Sequence, residues 1–286
     1  MRRRLAVLVV AVAALLSGPA ASARGLAKAW ETAGFANPES VLWDAGQQVL
    51  YVSNVNGRPV DKDGNGYISK LSADGHVLAR RWVVGLDGPK GMAVHDGRLY
   101  VADIDRLVVV DTASGKLIKT YPAGGAKFLG DVTIDPDGVV YVSDMLADAI
   151  WRLADGRFER WLADPALEAP NGLKAERDRL VVASWGSTGA VKVAGSLKTV
   201  GYGDRAVHTL AAGLGSLAGV EADGDGGYLV SDYVKGVVLR VTRTGRVHTI
   251  LTLSQGSADI GTIPAQHLLV VPMMMDGTVA AYRLHQ

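Results

Sequence analysis

The chain has 286 residues, 30 Lys and Arg against 29 Asp and Glu, and a formal net charge of +1. It carries no basic or acidic block, which argues against a nucleic-acid partner or an electrostatic membrane surface. There is no cysteine, and 35 Gly beside 3 Phe favour many turns over long helices.

Residues 1–23 read as a secretory signal peptide. A basic start, MRRR, precedes an apolar run over residues 5–16, and Ala21-Ser22-Ala23 forms a small-x-small cleavage pattern. The apolar run is shorter than the ~20 residues that cross a bilayer. The reading is cleavage before Arg24, a periplasmic or secreted location, and no membrane attachment afterwards. Residues 24–286 then form a single domain, long enough to bury roughly 70–75% of its unfolded surface without disulfides.

The domain opens with one strand-like segment, LAKAWETAG at 26–34, and then repeats itself six times. A β-rich run ending in a small or acidic residue starts at residues 50 (LYVSN), 99 (LYVAD), 140 (VYVSD), 180 (LVVASW), 228 (YLVSDY) and 268 (LLVVPM). Upstream of each lies a second apolar run: PESVLWD, PKGMAVH, GDVTID, PNGLKAE, LAGVEAD and ADIGTI. Hairpin turns such as DPDG at 135–138 join the two. A third alternating run follows in each unit: YISKLS, RLVVVDT, AIWRLA, AVKVAG, GVVLRVT and TVAAYRL.

Five units then have a fourth run: VLARRWVV, KLIKTYPA, RFERWLA, AVHTLAA and RVHTILTL. The sixth lacks one, and LAKAWETAG can supply it. Four short strands per unit, six units and an N-terminal strand that completes the last unit predict an all-β, six-bladed propeller with no open edge.

DKDGNG at 61–66 looks like part of a calcium loop. Helices on both sides and an acid at loop position twelve are what a helix–loop–helix site needs. Here both flanks alternate as strands, and position twelve is Ser72. The stretch reads as a turn-rich loop feeding a strand, with calcium binding by the loop alone left open.

A propeller's chemistry sits where its inner strands open onto the central channel. The mouth positions are Glu39, Lys90, Gly130, Asn171, Ala218 and Ala258. The returning second strands place Asn54, Asp103, Asp144, Trp185, Asp232 and Met273 near the same face. Asp103, Asp144 and Asp232 recur in one slot, which suits a carboxylate accepting turn N–H bonds. The six His show no ligand spacing, and His208 and His248 fall on outer strands. No G-x-S-x-G elbow or phosphate loop is present.

PES at 38–40, PKGM at 89–92, DVTIDPDGVVYVSD at 131–144, PNGL at 170–173 and GVEADGDGGYLVSD at 219–232 carry a resemblance. In this order and spacing the chain resembles the SMP-30/gluconolactonase/LRE-like six-bladed propellers, a secreted bacterial branch, with NHL-repeat and strictosidine-synthase-like proteins as kin. The resemblance implies a divalent cation, calcium first, at the channel mouth. Glu39 and Asn171 match two of the family's ligand positions. The family's Asp ligand and presumed base falls at Ala218, and its third-blade Asn falls at Gly130. Asp259 and Asp131 are candidate replacement ligands, although regular strand alternation turns both away from the channel.

Lys90 and Asp232 are the catalytic candidates. Lys90, Trp185 and Asp144 are the candidate substrate contacts. Lys90 either binds a substrate anion or a developing oxyanion, or pairs with Glu39 in place of a metal. Two functions follow. One is a cation-dependent lactonase or esterase acting at the mouth. The other is a non-catalytic propeller that binds a small molecule or a protein, its metal site degenerate at Gly130 and Ala218.

Overall fold

The computed structural model describes residues 25–285, so the predicted signal peptide lies outside the described residues. Six four-stranded antiparallel sheets stand in a ring. Their inner strands are Pro38–Asp44, Pro89–His95, Leu129–Ile134, Pro170–Ala175, Leu217–Ala222 and Gly261–Ile263. Each successive inner strand packs on the next, and the sixth closes onto the first. Ala27–Ala33 pairs antiparallel with Thr278–Arg283 and completes the sixth blade, as the repeat count required.

Burial falls outward across each blade. The second strands are enclosed on both faces, as in Val49–Asn54 and Leu268–Met273, where every residue is buried. This explains their near-continuous apolar sequence. Fourth strands such as Leu117–Pro122 are mostly exposed, and His208 and His248 are exposed on theirs. The core is divided into six seams between neighbouring blades. Leu107 and Val109 of the second blade, for example, pack with Val132, Val142 and Trp151 of the third.

One predicted strand is misplaced. AVKVAG is not the third strand of blade four; Gly195–Gly201 is. Both segments alternate, but Leu197 and Val200 are fully buried, while Val191 and Val193 are 76% and 59% exposed in the loop before them. Pairing with Arg179–Ser184 selects the segment that fills the seam. The sixth inner strand is also shorter than ADIGTI. Asp259 leaves its own sheet and bridges in parallel to Ser40 of the first blade, with its N–H donating to Glu39 O at 2.8 Å.

The inner strands are not regular at the mouth. Five carry a β-bulge at their first residues, between Pro38 and Ser40, Pro89 and Met92, Leu129 and Val132, Pro170 and Gly172, and Leu217 and Val220. A bulge breaks the period-two alternation and re-aims side chains. The serine of the YVSD-like motif secures it. Ser143 Oγ accepts from Asp131 N at 2.8 Å and donates to Asn171 O of the next blade at 2.6 Å. Ser231 Oγ does the same between Gly219 N and Ala258 O.

A candidate ligand cup at the channel mouth

The bulges bring the mouth positions together. Glu39, Lys90, Asn171, Ala218 and Ala258 share one cavity of about 200 Å³ with Pro59, Phe128, Met145, Trp185, Tyr233 and Met274. The walls follow a rule. Met145, Trp185, Tyr233 and Met274 are each the first residue after the second strand of their blade. Trp185 and Tyr233 face each other with ring centroids 5.6 Å apart, and Tyr233 Oη donates to Met274 Sδ at 3.7 Å. Of these wall residues only Trp185 was legible in the sequence as a site residue. The signal for the rest was the repeated slot after the strand-ending residue.

The floor is polar and sparsely satisfied. Lys90 is 1% exposed. Its Nζ donates to Gly88 O at 2.8 Å and stands 4.4 Å from the Phe128 centroid. Burial pulls its pKa down to about 8, opposed by the charges of Glu39 and Asp103. Glu39 has one enclosed oxygen, Oε2, without a hydrogen-bond partner. Burial lifts its carboxyl to about 8, Asp259 adds to the rise, and Lys90 opposes it. Both groups are therefore pushed toward their neutral forms by the same cause, loss of water. Neither the hydrogen bonds nor the ion pairs of the described residues join Lys90 to Glu39, so the direct pair, one of the two roles the sequence left open for Lys90, is not formed. The Tyr233 phenol is pushed up by burial and then by Glu39.

Asp131 and Asp259 do not reach this cup. They line the central channel below it, a cavity of about 260 Å³ that also contains Lys174, Glu221, Ser40 and Thr133. The alternation argument that turned them away from the channel fails for Asp131 because of the bulge between Leu129 and Val132, and for Asp259 because it lies before its strand and bridges to Ser40 instead. Asp131 accepts from Val132 N at 2.6 Å and from Leu173 N of the next blade at 2.7 Å. Asp259 accepts from Ser40 Oγ at 2.6 Å. Neighbouring glycines make the room: a Cβ on Gly91 would lie 2.3 Å from Asp131 Oδ1, and one on Gly219 would lie 2.3 Å from Asp259 Oδ1.

Asp144 and Asp232, one a candidate substrate contact and the other a candidate catalyst, are fully buried and do not line the cup. Asp144 accepts from Lys127 N, from Phe128 N at 2.9 Å and from Trp151 Nε1 at 3.2 Å. Asp232 accepts from Ser216, Val234 and Lys235 N–H groups. Asp103 holds Asp87 and Gly88 N–H and pairs with Arg106. All three carboxylates pin the chain near the mouth, the structural role that their repeated slot suggested.

The loop at 61–66 is closed on itself. Asp63 accepts from Asn65, Asp61 lies 3.8 Å from Arg58, and Lys62 pairs with Asp105. The strands on both sides are Val49–Asn54 and Gly66–Ser72, so no helix–loop–helix site is present there.

The cup does not fit a protein-held calcium ion. Calcium takes 6–8 oxygens, and of the six mouth positions Glu39 and Asn171 are the two with a side-chain carboxyl or amide oxygen. Asn171 also spends its Nδ2 on Leu217 O at 3.2 Å. Among the described residues no three His, Cys, Asp or Glu are grouped to hold a metal. A buried lysine shares the floor, and its charge opposes a dication.

Fold and site together define a six-bladed propeller with an apolar cup over its central channel. Residues 37–258 match the SMP-30/Gluconolactonase/LRE-like region, and the chain belongs to that family. A gluconolactonase from Xanthomonas campestris shares the fold at a TM-score of 0.69 and 18% identity, over 88% of each chain. A streptogramin B lyase aligns at 0.62 and 12% identity, covering 88% of this chain and 94% of that one. Virginiamycin B lyase from Staphylococcus aureus aligns at 0.62 and 11%, covering 90% and 99%. These likenesses are of fold. No curated protein sequence matches the chain.

Proposed function

We propose that this lactonase-like propeller binds a small, mostly apolar molecule at the mouth, with a carbonyl or carboxylate oxygen directed to Lys90. The observation that carries this is the cup itself: aromatic and thioether walls over a floor holding one buried amine, one carboxyl and one amide. Apolar walls with few convergent polar groups are the usual make-up of small-ligand sites. The volume is below the ~300–1,000 Å³ of drug-sized pockets, which favours a compact ligand. The rim agrees with this. Val60, Leu146, Val234 and Met275 stand on the strand-two-to-three connections around the mouth and are each at least 40% exposed.

A cation-dependent lactonase or esterase is the competing reading. The unpartnered Glu39 Oε2 and the family membership favour it. The absence of oxygen donors at Gly130 and Ala218 counts against it. The pattern of residues 1–23 supports export, which places the ligand outside the cytoplasm.

The test is a thermal-shift panel of small aromatic carboxylates, ketones and lactones on residues 24–286, beside Lys90→Met and Trp185→Ala. Met fills the space of the buried Lys stem, so the variant retains its packing. The expected result is a rise in Tm with a carboxylate or ketone that both variants lose. A panel without any shift, or shifts that both variants retain, would sink the reading. Turnover of a lactone only with added calcium would establish the competitor.

A further inference from the structure

We infer that Lys90 is a nucleophilic amine that captures a small ketone or aldehyde as a Schiff base on the floor of the cup. This deepens the ligand-binding reading above and rests on it.

An ammonium has three N–H donors to satisfy. Lys90 Nζ has one acceptor, Gly88 O, and the face of Phe128. Among the described residues no carboxylate forms an ion pair with it. Lys90 is 1% exposed, so most of its side chain is enclosed by protein. Such a site raises the share of neutral amine, which carries the lone pair that attacks a carbonyl. The lowered pKa agrees with this reading. The Phe128 face gives some of that energy back to the ammonium, and desolvation is the larger effect.

Glu39 completes the chemistry. It shares the cup with Lys90 without a direct pair. In its acid form the Glu39 carboxyl can supply a proton there. The neutral Lys90 amine adds to the carbonyl carbon, and the C=O π electrons move to oxygen. A proton passes from nitrogen to that oxygen and gives the carbinolamine. Glu39 then donates its proton to the hydroxyl, the C–O bond breaks and water leaves. The nitrogen lone pair forms the C=N bond. The products are an iminium cation, a Glu39 carboxylate and one water, with no oxidant or reductant consumed. The new cation and the new carboxylate then stabilise each other in a low-dielectric pocket.

The closing experiment uses cyclohexanone as the carbonyl probe, cyanoborohydride as the trap, and intact and peptide mass spectrometry as the readout. Cyclohexanecarboxylate, which cannot form an imine, serves as the binding control. The expected result is a single adduct mapped to Lys90, absent in Lys90→Met. In Glu39→Gln the trapping rate falls by about 100-fold, the scale of a lost general acid. Label spread over surface lysines with Lys90 bare, alongside a carboxylate shift that Lys90→Met abolishes, would overturn the Schiff base and leave the binding reading standing. Neither label at Lys90 nor a shift with either probe would sink both.

Discussion

A Cβ built on Gly130 would lie 3.0 Å from Asn171 Oδ1 and 2.8 Å from Ser143 Oγ. The third-blade donor of the family resemblance is therefore missing for a reason beyond substitution. Asn171 and the serine clamp on the bulge occupy the space a side chain at 130 would need. Any side chain at 130 must displace the hydroxyl that bridges Asp131 N and Asn171 O. Gly130→Asn is expected to cost about 1–3 kcal/mol through overpacking, read as a lowered midpoint in urea. A variant as stable as the parent would show that the clamp adjusts freely.

Ala218 is different, because it borders the cup and faces open space with Glu39 and Asn171. Ala218→Asp adds a third oxygen donor to that side of the mouth. Metal-stripped parent protein is expected to show no calcium heat by calorimetry, and Ala218→Asp to show heat that Glu39→Gln removes. Saturating heat in the parent that vanishes in Glu39→Gln would instead restore the cation site and the lactonase reading. Heat that persists there would direct attention back to the loop at 61–66.

Asp144 separates a structural carboxylate from a binding one. It is fully enclosed and satisfies two backbone N–H groups and an indole N–H. Asp144→Ala leaves those donors unpaired and is expected to cost about 2–4 kcal/mol. Below its lowered Tm the folded variant is expected to hold a cup ligand with unchanged affinity. A variant of parental stability that fails to bind would return Asp144 to the list of substrate contacts.

The sequence showed its architecture through period and its site through family pattern, and it failed where backbone geometry intervened. Six repeats near one length and a missing final strand were enough to place Ala27–Ala33 in the sixth blade. The recurring acid that ends the second strand holds turn N–H groups at Asp103, Asp144 and Asp232, as its slot suggested, while Asp144 and Asp232, also singled out as a substrate contact and a catalyst, do not line the cup. Asp131 was misdirected because a β-bulge leaves no mark that period-two reasoning can detect, and Asp259 because it leaves its own sheet to bridge to Ser40. AVKVAG and GSLKTVG alternate equally well, and only the seam between blades four and five chooses Leu197 over Val193. The depressed amine of Lys90 was invisible, since burial by Phe128 comes from a loop in another blade.

The channel below the cup makes the last prediction, in pH. Asp131 and Asp259 face each other's field, with Glu221 and its partner Lys174 alongside and Glu39 above. Burial raises Asp131 to about 8 and raises Asp259 well above its ordinary range, with Asp131's charge adding to the Asp259 rise. The folded protein thus holds protons that the unfolded chain releases near pH 4. The stability from these groups is full below about pH 4 and is lost as pH climbs toward about 8. Asp259→Asn is neutral at every pH, and its amide oxygen can still accept from Ser40 Oγ. Relative to the parent, its Tm is expected to be unchanged or slightly lower at pH 4. At pH 8 it should be higher by a few degrees, the scale of about 1 kcal/mol in a domain of this size. An equal loss at both pH values would show that the Asp259 carboxylate is held charged in the channel, and that another cation within reach supports it.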